Sequence, residues 1–262
     1  TFRKNMLNKY HLRKMCLYTD ARDIFNNVEI KGGICYFLSD LSYKGKCSYN
    51  YFDENSTYTD ERDFTNYDVL IRDPMLAKLV NEVSTKVNSE FCVDSIVSND
   101  TPFGISSNVR SSTKKDTELS STKDKIHDIA IYHIEKLVRK KEYMSSNKIT
   151  KNKQDITKYK VLVTGAAGSG NDSIVLGKPV FAEKDSVCSQ SYLYIPFESE
   201  IEAKNFIKYL STKFFRALVA SIKITQSCPN RVYKFVPIQD FTNLSDVDWS
   251  KSIEEIDKYF FN

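Results

Sequence analysis

Residues 159–171, YKVLVTGAAGSGN, constrain the fold of this chain more than any other stretch. A β-branched run from Lys160 to Thr164 meets a loop carrying Gly165, Gly168 and Gly170, which is how a nucleotide-binding α/β domain starts. In such a domain one glycine makes the tight turn and another lets a pyrophosphate touch backbone. The helix that follows holds the anion at its N-terminus. Here the spacing is GxxGxG, and Asn171 and Asp172 stand where a phosphate-cradling loop needs Lys and Ser or Thr. The next residues, SIVLGKPVFAE, carry β-branched side chains, Gly177 and Pro179, which do not start a helix. The loop is therefore read as a turn and not as a nucleotide site.

The rest of the pattern mixes strands and helices without regular alternation. Residues 1–24 carry Arg3, Lys4, Lys9, Arg13 and Lys14 among Met6, Leu7, Tyr10 and Met15, which predicts a basic, loosely amphipathic connecting helix. Strands are predicted at Val28–Ile30, at Ile34–Leu38 after a Gly32-Gly33 turn, and at Lys46–Phe52. Apolar residues from Pro74 to Val87 recur with a helical period behind a first-turn proline. Residues 106–124 are polar and weakly patterned, as in a mobile loop or insertion. Strands resume at Ile129–His133 and Lys141–Ser145. Ser199 and Glu202 form a capping-box pattern ahead of a long apolar stripe, which Ser211-Thr212 divides into two helices. The stripe Phe206, Leu210, Phe214 and Leu218 is core. A strand is predicted at Val232–Val236, and Ser252 with Glu255 opens a last helix. The fold class is α+β: mixed sheets with packed helices and a long helix or helix pair near 199–225.

With 262 residues the chain is long enough for a sizeable core, and its net charge of +4 permits a nucleic-acid partner without requiring one. The charge is uneven. From 123 to 160, eleven Lys and Arg face five acids, a local charge of about +6. The six cysteines are scattered with no CxxC pair, so a zinc site is not expected and reduced core thiols are. Absence of a signal peptide and of any long apolar run predicts a soluble cytoplasmic protein with no membrane partner. The opening at Thr1 without an initiator Met suggests a piece of a longer chain.

Little here carries catalysis. The histidines, at 11, 127 and 133, have no ligand or triad spacing. Asp23 with Glu29 and Lys31 mimics the acid-plus-ExK set with which metal-dependent nucleases hold Mg²⁺ and steady a water. The same three-letter pattern recurs at Glu202-Ala203-Lys204 within the predicted helix, so it discriminates weakly.

Several stretches taken in order resemble one family. IFNNVEIKGGICYFLSDLSYKGKC (24–47) is similar to an F-x-x-V-x-I-x-G-G-V-C-Y-F-L stretch with a following Tyr-x-Gly-x-Cys element. TPFGI (101–105) and NKITKNKQDITKYKVLVTGAAGSG (147–170) come next. LGKPVFAEKDSVCSQSYL (176–193), EAKNFIKYLSTKFFRALVASIKITQ (202–226) and YKFVPIQDF (233–241) complete the set. Together they resemble the adenine-specific DNA methyltransferases of bacterial restriction–modification systems, in the C-terminal target-recognition region. The departures are Ser39, where that family usually has Trp, and the polar stretch 106–124.

The resemblance implies a division of labour. The family's Pro-Pro-Tyr motif and its S-adenosylmethionine loop lie in a catalytic domain, and this chain has no Pro-Pro dipeptide. Residues 1–24 would then be a helical connector from that missing domain, and 25–262 a DNA target-recognition domain. The fragment would be non-catalytic and hold no cofactor, with S-adenosylmethionine bound by the catalytic domain of a parent adenine methyltransferase that can also restrict DNA. Its partners would be double-stranded DNA and its own catalytic domain. A recognition domain needs cations for phosphates and bidentate side chains for base edges. Arg139, Lys140, Lys141, Lys148, Lys151, Lys153 and Lys160 are the candidates for the first role. Arg110, Asn108, Asn147, Asn152 and Gln226 are the candidates for the second. Two alternatives stand beside this: a metal-dependent endonuclease domain, and a non-catalytic domain that docks onto a partner subunit.

Overall fold

The computed structural model describes residues 6–7, 11–28, 30, 32–54, 56–65, 67–86, 91–109, 119–168 and 174–261. The chain divides into two compact units, Thr1–Lys86 with Ala220–Thr225, and Val87–Val219 with Gln226–Asn262. Among the described residues the fold is α+β, with ten strands in three sheets and four α-helices.

The first unit is built on a four-stranded sheet in the order β2-β1-β3-β4, comprising β1 (Leu12–Tyr18), β2 (Ile34–Ser39), β3 (Cys47–Asp53) and β4 (Ser56–Arg62). Alternation along β3 sends Cys47, Tyr49 and Tyr51 inward, where they meet Met15, Leu17 and Phe64. Gly33, at φ +75°, sits where a Cβ would lie 2.1 Å from the Tyr18 carbonyl oxygen, so the Gly32-Gly33 turn admits no side chain there. Helix α1 (Pro74–Lys86) begins as the sequence suggests, with Asp73 accepting from the backbone N–H of Met75 at 2.7 Å.

The second unit packs two three-stranded sheets over one core. One has the order β6-β5-β9, made of β5 (Ile129–Glu135), β6 (Val138–Met144) and β9 (Ser186–Cys188). The other has the order β10-β7-β8, made of β7 (Tyr159–Thr164), β8 (Val180–Ala182) and β10 (Tyr192–Phe197). Ile131 and Met144 of the first sheet meet Leu162, Tyr192 and Tyr194 of the second, closed by Phe103 and Ile149. Helices α2 (Glu200–Ser211), α3 (Lys213–Ala220) and α4 (Ile253–Phe261) complete the unit, with α2 packed on β7, β8 and β10. Phe206, Leu210, Phe214 and Leu218 are all buried, each contributing about 1.5–3 kcal/mol by leaving water. The capping box of Ser199 and Glu202 is formed, and the break falls at Thr212, where the Asp257 carboxylate of α4 accepts from the N–H groups of Lys213 and Phe214.

Three predicted elements are corrected. Leu12–Tyr18 is a strand and not part of a helix; β1 is a central strand paired antiparallel to β2 and parallel to β3. Val28 and Ile30 lie outside any strand. Pro229–Pro237 does not bracket a strand, because Asn230–Tyr233 is a 3-10 turn. The predicted loop 106–124 lies in part on 110–118, outside the described residues, while Ser120 bridges to Tyr143 of β6. The cysteines are all free, and every one except Cys35 is buried.

Candidate nucleic-acid interface

The β5–β6 hairpin organises the basic segment. Its strands pair from Ile129–Met144 at the open end to Glu135–Val138 at the turn. Beyond the open end the chain makes two 3-10 turns, Ser146–Lys148 and Lys153–Asp155, pinned from several sides. Asp128 accepts from both the backbone N–H and the hydroxyl of Ser146 at 2.7 Å, and those bonds hold its carboxyl below the usual carboxylate range. The N–H of Thr150 donates to the Phe103 carbonyl at 3.3 Å, and the Asn152 amide donates to the Pro102 carbonyl at 2.7 Å. Gly104, at φ +80°, lets this approach happen, since a Cβ would lie 1.9 Å from the Thr150 hydroxyl oxygen. The Tyr194 hydroxyl donates to Asp155 at 2.7 Å.

Ile149 is buried in the core between these anchors, so Lys148, Lys151 and Lys153 are all left exposed. None of the three forms an ion pair with a described residue. Three ammonium groups on a pinned frame are pre-organised for an anionic partner, since little backbone order has to be lost when it arrives. Lys123 and Lys125, exposed on the turn leading into β5, belong to this same end. Sequence reading counts their charge without assigning them a role; the signal is their place just before a predicted strand whose start adjoins the end of its partner.

The other predicted residues are distributed differently. Arg139, Lys140 and Lys141 lie near the hairpin turn, and seven strand residues at 3.3 Å each put about 20 Å between the two ends. Each already has a partner: Arg139 donates to the Lys178 carbonyl at 2.8 Å, Lys140 pairs with Glu135, and Lys141 lies 3.5 Å from Glu183 and over the Tyr132 ring. Lys160 is a correction. It shares the face of β7 that carries Leu162 and Thr164, is wholly buried, and its ammonium donates to the carbonyls of Asp155, Ile156 and Lys158 at 2.8, 3.1 and 2.5 Å. Burial pulls its pKa down to about 8. It holds the turn that carries Lys153 and is out of reach of any phosphate. Asn152 is likewise engaged in anchoring that turn, at a left-handed φ of +50°. Asn108, Asn147 and Gln226 are exposed, while Arg110 lies outside the described residues.

The remaining motifs resolve plainly. The loop after β7 pairs with 226–228 through the N–H groups of Ala167 and Cys228, and no helix follows it among the described residues. Of the ExK set, Asp23 is exposed on a 3-10 turn, and Glu29 and Lys31 lie outside the described residues. Among the described residues no cluster of His, Cys, Asp and Glu could hold a metal ion. His133 is buried and bonded to Glu142 at 2.6 Å. No described helix is long and apolar enough to cross a membrane.

No family profile matches the chain, and no curated protein matches it. Among solved structures it is similar to the type IIG restriction endonuclease BpuSI, with a TM-score of 0.38 and 14% identity over 97% of this chain. The chain spans 39% of that protein's length.

Proposed function

We propose that this chain is the DNA-recognition part of an adenine-specific methyltransferase of a restriction–modification system. In this reading it holds a duplex while a separate domain, binding S-adenosylmethionine, takes a flipped adenine. The observation that supports it is the pinned, exposed trio Lys148, Lys151 and Lys153, without an ion pair among the described residues, which falls within the 147–170 segment that carries the family resemblance. Phosphate contacts by such a trio set register and orientation, and sequence is read by other groups. Asn108, Asn147 and Gln226 are exposed and suited to base edges, and Arg110 completes the proposed set. The test is a fluorescence-anisotropy titration with duplex DNA, paired with an assay for radiolabelled methyl transfer from S-adenosylmethionine. Binding that weakens steeply with salt, and no methyl incorporation, is expected. Absence of binding at low salt, or methylation by this chain alone, contradicts the reading.

A docking role for the first unit draws on a separate observation. Strand β2, at the edge of its sheet among the described residues, exposes Tyr36, Phe37 and Leu38 on both of its faces, which is unusual for apolar side chains on an edge strand. Such a surface serves contact with the catalytic domain, and Phe37→Lys is expected to weaken that association while leaving duplex affinity unchanged.

A further inference from the structure

The β5–β6 hairpin turns at Lys136 and Leu137, with φ of +48° and +66° between the paired residues Glu135 and Val138. This is the two-residue turn that favours Asn-Gly, because both central residues adopt a left-handed conformation. Neither glycine nor asparagine is present. Leu137 is 96% exposed and Val138 57%. The turn therefore presents an apolar side chain to water at a position where glycine would be less strained, and strain kept at an exposed position points toward function.

The surroundings narrow that function. Strand β9 pairs with β5 only from Ala130 to Tyr132, and the Ser120 bridge covers β6 only at Tyr143. Residues 133–140 continue as a two-stranded ribbon with no further strand partner among the described residues; its base is packed at His133 and Ile134, and residues 136–139 are exposed at its tip. Lys136 sits at the tip, and strand parity places Arg139 and Lys141 together on one face. The ribbon's cations outnumber its carboxylates, so its charge complements phosphate. Two strands about 4.8 Å apart fit the major groove, about 12 Å wide, which admits a β-ribbon. The apolar group that base edges present there is the thymine methyl.

We propose that the 135–139 tip of the hairpin enters the major groove of duplex DNA and that Leu137 packs against a thymine methyl group. The inference rests on the duplex-binding reading and adds to it a groove, an element and a base preference. It is tested with a pool of randomised duplexes of about 40 base pairs, prepared once with thymine and once with uracil. The protein is used whole, as wild type, as Lys136→Asn/Leu137→Gly and as Leu137→Asn. The double variant supplies the residues the turn favours, so its melting midpoint is expected to hold or rise by about 2–4 °C. Leu137→Asn is the second variant should the first fail to fold.

Wild type is expected to bind the uracil pool about three- to four-fold more weakly for each methyl contacted. Both variants are expected to bind the two pools equally, Leu137→Asn at the wild type's uracil level and the double variant below it, since that variant also removes the Lys136 charge. Equal binding of both pools by wild type overturns the proposal, as does undiminished discrimination in the variants. Wild type that binds neither pool overturns the duplex-binding reading itself.

Discussion

Lys160 carries a formal charge where hydrocarbon would be expected, and three backbone carbonyls account for it. Replacing it with Met keeps the stem and removes the donor, leaving buried carbonyls unpaired at a cost of about 1–3 kcal/mol. Lys160→Met is thus expected to lower stability in urea denaturation while leaving duplex affinity unchanged. A loss of affinity at unchanged stability would return Lys160 to the DNA surface. The pH dependence follows from the folded-state pKa of about 8, below the ordinary 10.5. Between those values the unfolded chain binds more protons than the folded one, so wild-type stability gains relative to Lys160→Met as pH rises through that window. Below about pH 8 the gap is expected to stay flat; a gap that narrows as pH rises from there contradicts the assignment. The burial of Lys160 was legible in principle, since the three residues after it, Val161, Leu162 and Val163, are an apolar strand run, and parity ties Lys160 to Leu162. Net charge along the segment obscured it, because a charge count does not record which way a strand residue faces.

Elements with local signals were the easiest to read. The α2 cap and the break at Thr212 follow from short-range chemistry and form as the sequence suggests. Strands form near 129–133 and 141–145 as predicted, though their pairing into a hairpin about Lys136 and Leu137 was not read. The cap on α3 was invisible, because Asp257 reaches it from more than forty residues away. Asp257→Ala is expected to cost about 2 kcal/mol by stranding two N–H groups, and Ser199→Ala about 1 kcal/mol, as read by urea denaturation. Losses within a few tenths for both would show that packing alone sets these helix ends. Strand β1 resembles a helix for a physical reason. A register irregularity between Leu12 and Lys14 breaks its alternation, so Leu12, Met15 and Cys16 are buried at the i, i+3, i+4 spacing of a helix. The Val232–Val236 run resembles a strand by composition, but its start is coiled into a 3-10 turn behind Pro229.

At the scale of the molecule, the α+β class was legible and the division into two units was not. Residues 220–225 belong with the first unit although the sequence around them belongs to the second, an exchange no local pattern records. The candidate surface was half legible for the same kind of reason. Its charge shows in the sequence, yet only folding separates Lys148, Lys151 and Lys153 from the partnered Arg139, Lys140 and Lys141 and brings 101–105 beneath the lysine turns. The most direct measurement is the salt dependence of duplex affinity for wild type and for the triple replacement of Lys148, Lys151 and Lys153 by Ala. With stability unchanged, the slope of log affinity against log salt is expected to fall in magnitude by about 2–3, near 0.9 for each phosphate no longer neutralised. An unchanged slope and affinity in the triple variant would contradict the account.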